Sequence, residues 1–312
     1  MLTRFERVSS LGRSTAVSAE LSSSASRAPL VFETIQELRA WRAEQRARGA
    51  RVALVPTMGA LHEGHLSLIK LAQRQADVVI ASVFVNPTQF NQAADLLNYP
   101  RDLEGDLRAL ERAGCDAVFT PSVEELYPTG AQTRVSVGSL ADHLCGAARP
   151  GHFEGVCTVV SMLFHITGCE LAVFGEKDAQ QLAIIKQMTR DLHLPVEVIG
   201  APTAREPDGL AMSSRNRRLC PEQRALASRI FRGLSAAQAA WASGEREPQR
   251  LIGLAREALG EAFRVDYLTL CNSQSLEPLS AGHQEAEALL AVAAFLGEVR
   301  LIDNISLSSE AL

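Results

Sequence analysis

From about Val31 onward, short apolar runs alternate with longer stretches in which apolar positions recur every three to four residues. Thr34 to Arg48 reads as a helix: Thr34 can cap it, Glu37 stands three residues on, and Gly49 can end it. Arg51 to Pro56 is a short apolar run and predicts a buried strand. His65 to Gln75 places Leu66, Ile69 and Ala72 on one helical stripe, and Asp77 to Val85, containing VVIASVFV, predicts a second buried strand. A strand–helix–strand unit of this kind points to a parallel sheet with right-handed crossovers. The pattern continues with a helix near Leu103–Arg112, a strand at Ala117–Phe119 and a helix around Gly155–Thr167. A strand at Glu170–Phe174, a helix from Lys177 to Arg190 and a strand at Pro195–Ile199 follow.

After Arg215 the character changes. Pro221–Ser243 and Gln249–Ala262 are Ala-rich and helical in pattern, whereas Val265–Leu270, Ala288–Phe295 and Val299–Ile302 predict strands. The expectation is an α/β chain with a parallel-sheet N-terminal domain over 29–203 and a smaller α+β C-terminal domain over 204–312. Residues 1–28 differ from both, with eight serines, four arginines and two acids and little apolar periodicity. They predict a disordered extension, with an organellar transit peptide as the alternative.

Composition narrows the class. Of 312 residues, 46% are apolar and 21% charged, enough apolar content for a sizeable core and too much for general disorder. A net charge of −5 argues against general nucleic-acid binding, and no apolar stretch of about 18 residues is present to span a membrane. Six scattered cysteines, at 115, 145, 157, 169, 220 and 271, suit a reducing cytoplasm better than a disulfide framework. Among 31 basic residues only Lys70, Lys177 and Lys186 are lysines, so each lysine draws notice.

Four polar segments each follow directly on a predicted strand: Met58 to His65, Asn86 to Asn91, Gly175 to Gln181, and Thr203 to Asn216. In an open parallel sheet the loops at the carboxyl ends of strands converge on one crevice, where ligands bind. His62 and His65 lie three apart where a strand enters a helix, beside exposed backbone N–H groups that suit phosphate oxygens. Gly59 and Gly64 would let the backbone approach a ligand. Ordinary partly buried histidines, or a zinc pair, are the competing readings, although His-Glu-Gly-His is not the zincin pattern. Lys177, Asp178 and Gln181 fall on one helical face, and a lysine at a helix start opposes the helix dipole unless an anion sits there too. A solvated lysine is the plain alternative. Met212-Ser213-Ser214-Arg215 offers hydroxyls and a guanidinium for a polyphosphate. Neither G-x-G-x-x-G nor a Walker A motif is present.

A His-x-x-His turn after the first such strand, paired with a Met-Ser-Ser-Arg loop, resembles the nucleotidyltransferase-type adenylating enzymes. VPTMGALHEGHLSLI, SVFVNPTQFN, NYPRDLEGDL, RPGHFEGVCTVV, VFGEKDAQQLAIIKQM and REPDGLAMSSRN, in that order, resemble the pantothenate synthetase (pantoate–beta-alanine ligase) family, from about residue 31 to LIDNI near 306. The resemblance implies a Rossmann-like N-terminal domain and a smaller C-terminal domain that closes over the nucleotide, in a cytoplasmic homodimer. The implied reaction joins pantoate to β-alanine with ATP through a pantoyl-adenylate, releasing AMP and pyrophosphate, with Mg²⁺ as the metal.

By the same resemblance, Met58, Gly59, Ala60, Leu61, His62, Glu63, Gly64 and His65 would hold ATP, with His62, His65 and Lys177 as the catalytic residues and His65 as a proton donor. Gly175, Glu176, Lys177 and Asp178 would also contact ATP, as would Ala204, Met212, Ser213, Ser214 and Arg215. Gln89 and Gln181 would hold pantoate, Gln89 would also lie near β-alanine, and Asp106 would bind the metal. The chain departs from the family at Gly105, a usually acidic position, at the less acidic Ala93–Leu96 and at Ala179. The rival readings are a ligase of the same fold for another small carboxylic acid, and a binding protein that has lost the chemistry.

Overall fold

The computed structural model describes residues 28–308; the expected N-terminal extension lies outside the described residues except for Ala28. Six parallel strands form the first sheet: β1 (Leu30–Phe32), β2 (Val52–Thr57), β3 (Val78–Val83), β4 (Ala117–Phe119), β5 (Leu171–Gly175) and β6 (Glu197–Ala201). Their order is β1-β4-β3-β2-β5-β6. The chain winds outward from β2 in one direction through β3 and β4, then returns to the other side of β2 with β5. The carboxyl ends of β2 and β5 therefore flank a topological switch point.

Both faces of this sheet are covered, which is why its central strands read as unbroken apolar runs. On one face the helices Ile35–Ala47, His152–Thr167 and Ala179–Asp191 pack over Val52, Leu54, Ile80 and Ala172. On the other, Glu63–Gln73 and Leu103–Arg112 cover Ala53, Val55, Val79 and Val173. Thr34 caps the first helix in a capping box with Glu37, as its spacing predicts. The three-residue β1 was not legible as a strand, because it is short and its Leu30 and Val31 lie exposed at the sheet edge.

A second sheet is antiparallel, in the order β7-β8-β9, from β7 (Phe263–Asn272), β8 (Glu287–Leu296) and β9 (Val299–Ser308). The sequence expectation of one helix over Pro221–Ser243 is corrected: it divides at Ser228 into Pro221–Ala227 and Arg229–Ala242, with no proline or glycine to mark the break. One face of the sheet packs Leu290, Val292 and Ala294 against Leu234, Trp241 and Leu251 of the helices. From the other face, Cys271, Leu289 and Ala291 join the core of the first sheet, so the two units share packing.

β9 also corrects an expectation. The apolar pattern ends at Ile302, yet the strand runs on to Ser308 through Asp303 and Asn304, both buried. Buried polar groups require partners, and here they come from the other side of the molecule. Among the described residues no helix is long and apolar enough to cross a membrane.

Candidate active site

All four polar segments emerge at the carboxyl ends of strands, after β2, β3, β5 and β6. Side chains from all four line one cavity of about 220 Å³: Met58, His62 and His65 from the first, Asn86 and Gln89 from the second, Lys177, Asp178 and Gln181 from the third, and Ala204 and Met212 to Arg215 from the fourth. Gly64 and Gly175 complete the polar rim, and Phe84, Val156, Val159, Val160, Leu163 and Phe174 give the cavity an apolar floor. Lys177, Asp178, Gln181, Ser213 and Arg215 are shared with an adjoining chamber of about 640 Å³ that reaches the second sheet.

The histidine turn is held by its own neighbourhood. His62 is the N-cap of the Glu63–Gln73 helix, with its Nδ1 accepting the Gly64 N–H at 3.2 Å, while His65 Nδ1 accepts the His62 N–H at 3.3 Å. This is a capping box built from imidazoles. The rings lie 4.1 Å apart and are tilted by 43°, not stacked in parallel. Burial, then the charges of Lys177 and Arg217, lowers the His62 pKa to about 4. Burial, then His62 and Lys177, lowers that of His65 to about 3. Both rings are neutral near pH 7. With each Nδ1 accepting a backbone N–H, the proton sits on Nε2, leaving two neutral N–H donors at the cavity. Such donors bring no charge to the cavity, whose cations are Lys177 and Arg215.

The backbone ahead of the turn is shaped by Asp106. Its Oδ2 accepts the Ala60 N–H at 2.9 Å and its Oδ1 the Leu61 N–H at 2.7 Å. Gly59 and Ala60 are both left-handed, at φ 79° and 52°. A Cβ on Gly59 would lie 2.8 Å from Asp106 Oδ2, so only glycine permits this approach. Asp106, expected as a metal ligand, clamps this loop, each of its carboxylate oxygens accepting one backbone N–H. Gly59, Ala60 and Leu61 form that loop's framework and do not line the cavity, and Glu63 and Glu176 point outward, exposed. Those five are the expected nucleotide contacts that the structure does not bring to the cavity wall.

Gln89 is set by residues that sequence reasoning did not single out. Asn86 donates from Nδ2 to Gln89 Oε1 at 3.0 Å and to the Gly155 carbonyl at 3.0 Å, which leaves the Gln89 amide nitrogen beside Met58 Sδ at 3.2 Å. Gly155 has to be glycine, since a Cβ there would come within 2.6 Å of the Thr88 carbonyl. Arg149 and His152 both donate to the Gln89 carbonyl, at 3.0 and 2.8 Å. Tyr99 also lines the cavity, near Ser214 and Arg215, and burial raises its pKa. Arg217 reaches the Leu61 carbonyl at 3.4 Å. Asn86, Tyr99, Arg149 and His152 all stand in motifs already quoted, but a buried amide or phenol has no local spacing signal.

Lys177 stands in a 3-10 turn, Glu176–Asp178, ahead of the Ala179–Asp191 helix, its side chain mostly buried and its Nζ 3.9 Å from Asp178 Oδ2. Neither Gly175 nor Asp178 makes a side-chain cap bond there. The turn is held from β9 instead: Asn304 Nδ2 donates to the carbonyls of Glu176 and Lys177, both at 2.9 Å.

A Rossmann-like parallel sheet whose switch point gathers two imidazole donors, a lysine and a Ser-Ser-Arg loop around one cavity is the arrangement of an α/β enzyme with its ligand crevice at the carboxyl ends of the strands. The family model described as Pantoate-beta-alanine ligase matches residues 30–306, and the chain belongs to that family. It is 51% identical to a pantothenate synthetase of Myxococcus xanthus over 91% of this chain and 98% of that protein. It also resembles the crystal structure of pantothenate synthetase from Thermus thermophilus, with a TM-score of 0.84 and 46% identity over 89% of this chain and 99% of the other. A pantoate-beta-alanine ligase from Francisella tularensis, solved in complex with beta-gamma ATP and beta-alanine, matches with a TM-score of 0.74 and 34% identity, over 89% and 97% of the two chains. This chain is accordingly an enzyme that ligates pantoate to β-alanine.

Proposed function

We propose that the ligation uses ATP in two steps at this one cavity. The pantoate carboxylate attacks the α-phosphate and expels pyrophosphate; the amine of β-alanine then attacks the pantoyl-adenylate, giving pantothenate and AMP. The observation that carries this reading is the meeting of the His62 and His65 Nε2–H donors with Lys177 across the β2–β5 junction. A carboxylate nucleophile is already ionised, so the first step needs donors and positive charge on the phosphates more than it needs a base. Lys177, Ser213, Ser214 and Arg215 supply these, and the neutral imidazoles add two oriented donors. His65, uncharged in the free enzyme, serves as a hydrogen-bond donor to the phosphate oxygens and does not release a proton to them.

Gln89 and Gln181 hold pantoate, whose two methyl groups suit the apolar floor; Gln89 also lies by β-alanine, and Asp178 by the ribose or adenine. Ala204 contributes backbone, and the unit from residue 204 onward closes over the nucleotide, in a cytoplasmic homodimer. Mg²⁺ fits as a companion of the phosphates. Among the described residues no three His, Cys, Asp or Glu side chains gather as a metal cage, and Mg²⁺ commonly takes only one or two carboxylates beside phosphate oxygens and water. Asp178, which lines the cavity, and Asp106, whose oxygens each accept one backbone N–H, are the carboxylates that would serve it. Bound there, the metal would neutralise phosphate charge.

ATP–pyrophosphate exchange tests the reading. It should require pantoate and proceed without β-alanine. Exchange supported by a different small acid and not by pantoate would reassign the substrate, and exchange with no acid at all would remove the adenylate.

A further inference from the structure

We infer that Asn304, together with Asp303 beside it, is a positioning residue of the adenylation step, setting Lys177 from the opposite domain; this rests on the role given to Lys177 above. Asn304 is buried, and its amide donates both its hydrogens to consecutive carbonyls, Glu176 and Lys177. Nothing else in the turn's own sequence caps it. The backbone that carries this side chain is held as well, because the Asn304 N–H donates to Asp303 Oδ1 at 2.8 Å.

Asp303 in turn takes a two-pronged bond from Arg205, at 2.6 and 3.0 Å. Arg205 opens the loop that ends in Met212-Ser213-Ser214-Arg215. It donates to the Gly209 carbonyl at 3.1 Å and lies 4.0 Å over the Phe231 ring, while Met212 N–H bonds back to the Ala204 carbonyl at 2.9 Å. Two adjacent residues of the last strand thus hold the base of both phosphate-facing loops. The second domain is then part of the frame that aims the lysine, not only a cover. Because an ammonium displaced by about 1 Å can cost roughly a hundredfold in rate, a bond to the carbonyl of Lys177 itself is a direct control on its placement.

The test is pantoate-dependent ATP–pyrophosphate exchange on the full chain. Asn304→Ala should lower the rate at saturating ATP by about tenfold to a hundredfold with the KM for ATP within about threefold of the parent. Asn304→Asp keeps size and shape but replaces the donor with an acceptor, and should be at least as impaired. Asn304→Ser, keeping one donor, should fall between, and it serves in place of Asn304→Ala if that variant fails to fold. In a Lys177→Ala background the same substitutions should change the rate less than about twofold, because the residue they act through is gone. Near-parental activity of Asn304→Asp, or the full loss repeated in the Lys177→Ala background, would overturn the inference and leave Asn304 as packing. A parent enzyme without pantoate-dependent exchange would instead refute the function proposed above.

Discussion

The His62–His65 turn and the Lys177 turn leave adjacent strands, β2 and β5, of the same sheet, and face the same cavity, yet different parts of the chain hold them. The histidine turn is nearly self-supporting. Its imidazoles cap their own helix, and its one distant contact of weight, Asp106, comes from the same face of the same sheet. The lysine turn has no side-chain cap of its own and takes two bonds from Asn304, on a strand of the other domain. A site assembled this way has one half fixed as soon as the first sheet forms. Its other half depends on how the second domain docks.

The comparison is broken most directly at His65. His65→Ala removes a preorganised donor and half of the capping box, and should lower pantoate-dependent exchange by about a hundredfold to a thousandfold with the fold retained, which circular dichroism would check. Near-normal exchange would show that the turn serves the helix and not the phosphates.

Acid should separate the two turns next. Folded His65 stays neutral down to about pH 3, whereas an unfolded histidine gains its proton near 6.5. Between those values the unfolded chain binds the extra proton, so stability rises with pH in this window and is lost as pH falls below about 6.5. For His65 the loss reaches about 2 kcal/mol at pH 5. His65→Gln, which can still accept the His62 N–H, should flatten the pH dependence of the urea midpoint by about that amount. An unchanged slope would mean that His65 is protonated as easily folded as unfolded.

Lys177→Arg sharpens the other side. It keeps the charge but carries it on a longer planar fork in a turn whose carbonyls are already pinned, and exchange should fall at least about tenfold. Parental activity would make the lysine a diffuse charge, with no need of a turn held from β9. The smallest effect is expected for His62 as a cap. His62→Ala should cost about 1 kcal/mol of stability and His62→Asn, with an acceptor at the same place, only a few tenths. Equal melting temperatures for the two variants would mean that the Gly64 N–H bond carries no weight.

Much of this was legible from residue order alone, because it depends on short-range chemistry. Apolar runs of strand length placed β2, β3, β4 and β5 nearly to their ends, and Thr34 with Glu37 announced a helix start that the structure repeats. The handedness of strand–helix–strand crossovers then brings four loops to one edge whatever their sequences are, and Met58, His62, Gln89, Lys177, Gln181 and Arg215 meet there.

What residue order could not show is what happens to polar groups when they are buried. Asp303 and Asn304 read as the end of a strand, since two polar residues close an apolar run, yet both lie inside it because Arg205 and the Lys177 turn satisfy them. Asp106 clamps Ala60 and Leu61, a role that its sequence neighbourhood does not show because those partners stand about 45 residues away. The spacing of the two histidines marks a candidate phosphate site, but their charge is settled by desolvation and by Lys177 and Arg217, which only the folded chain sets beside them. Periodicity is a property of neighbours along the chain and survives in the sequence; hydrogen-bond partners and burial are properties of neighbours in space, and those the tertiary structure alone decided.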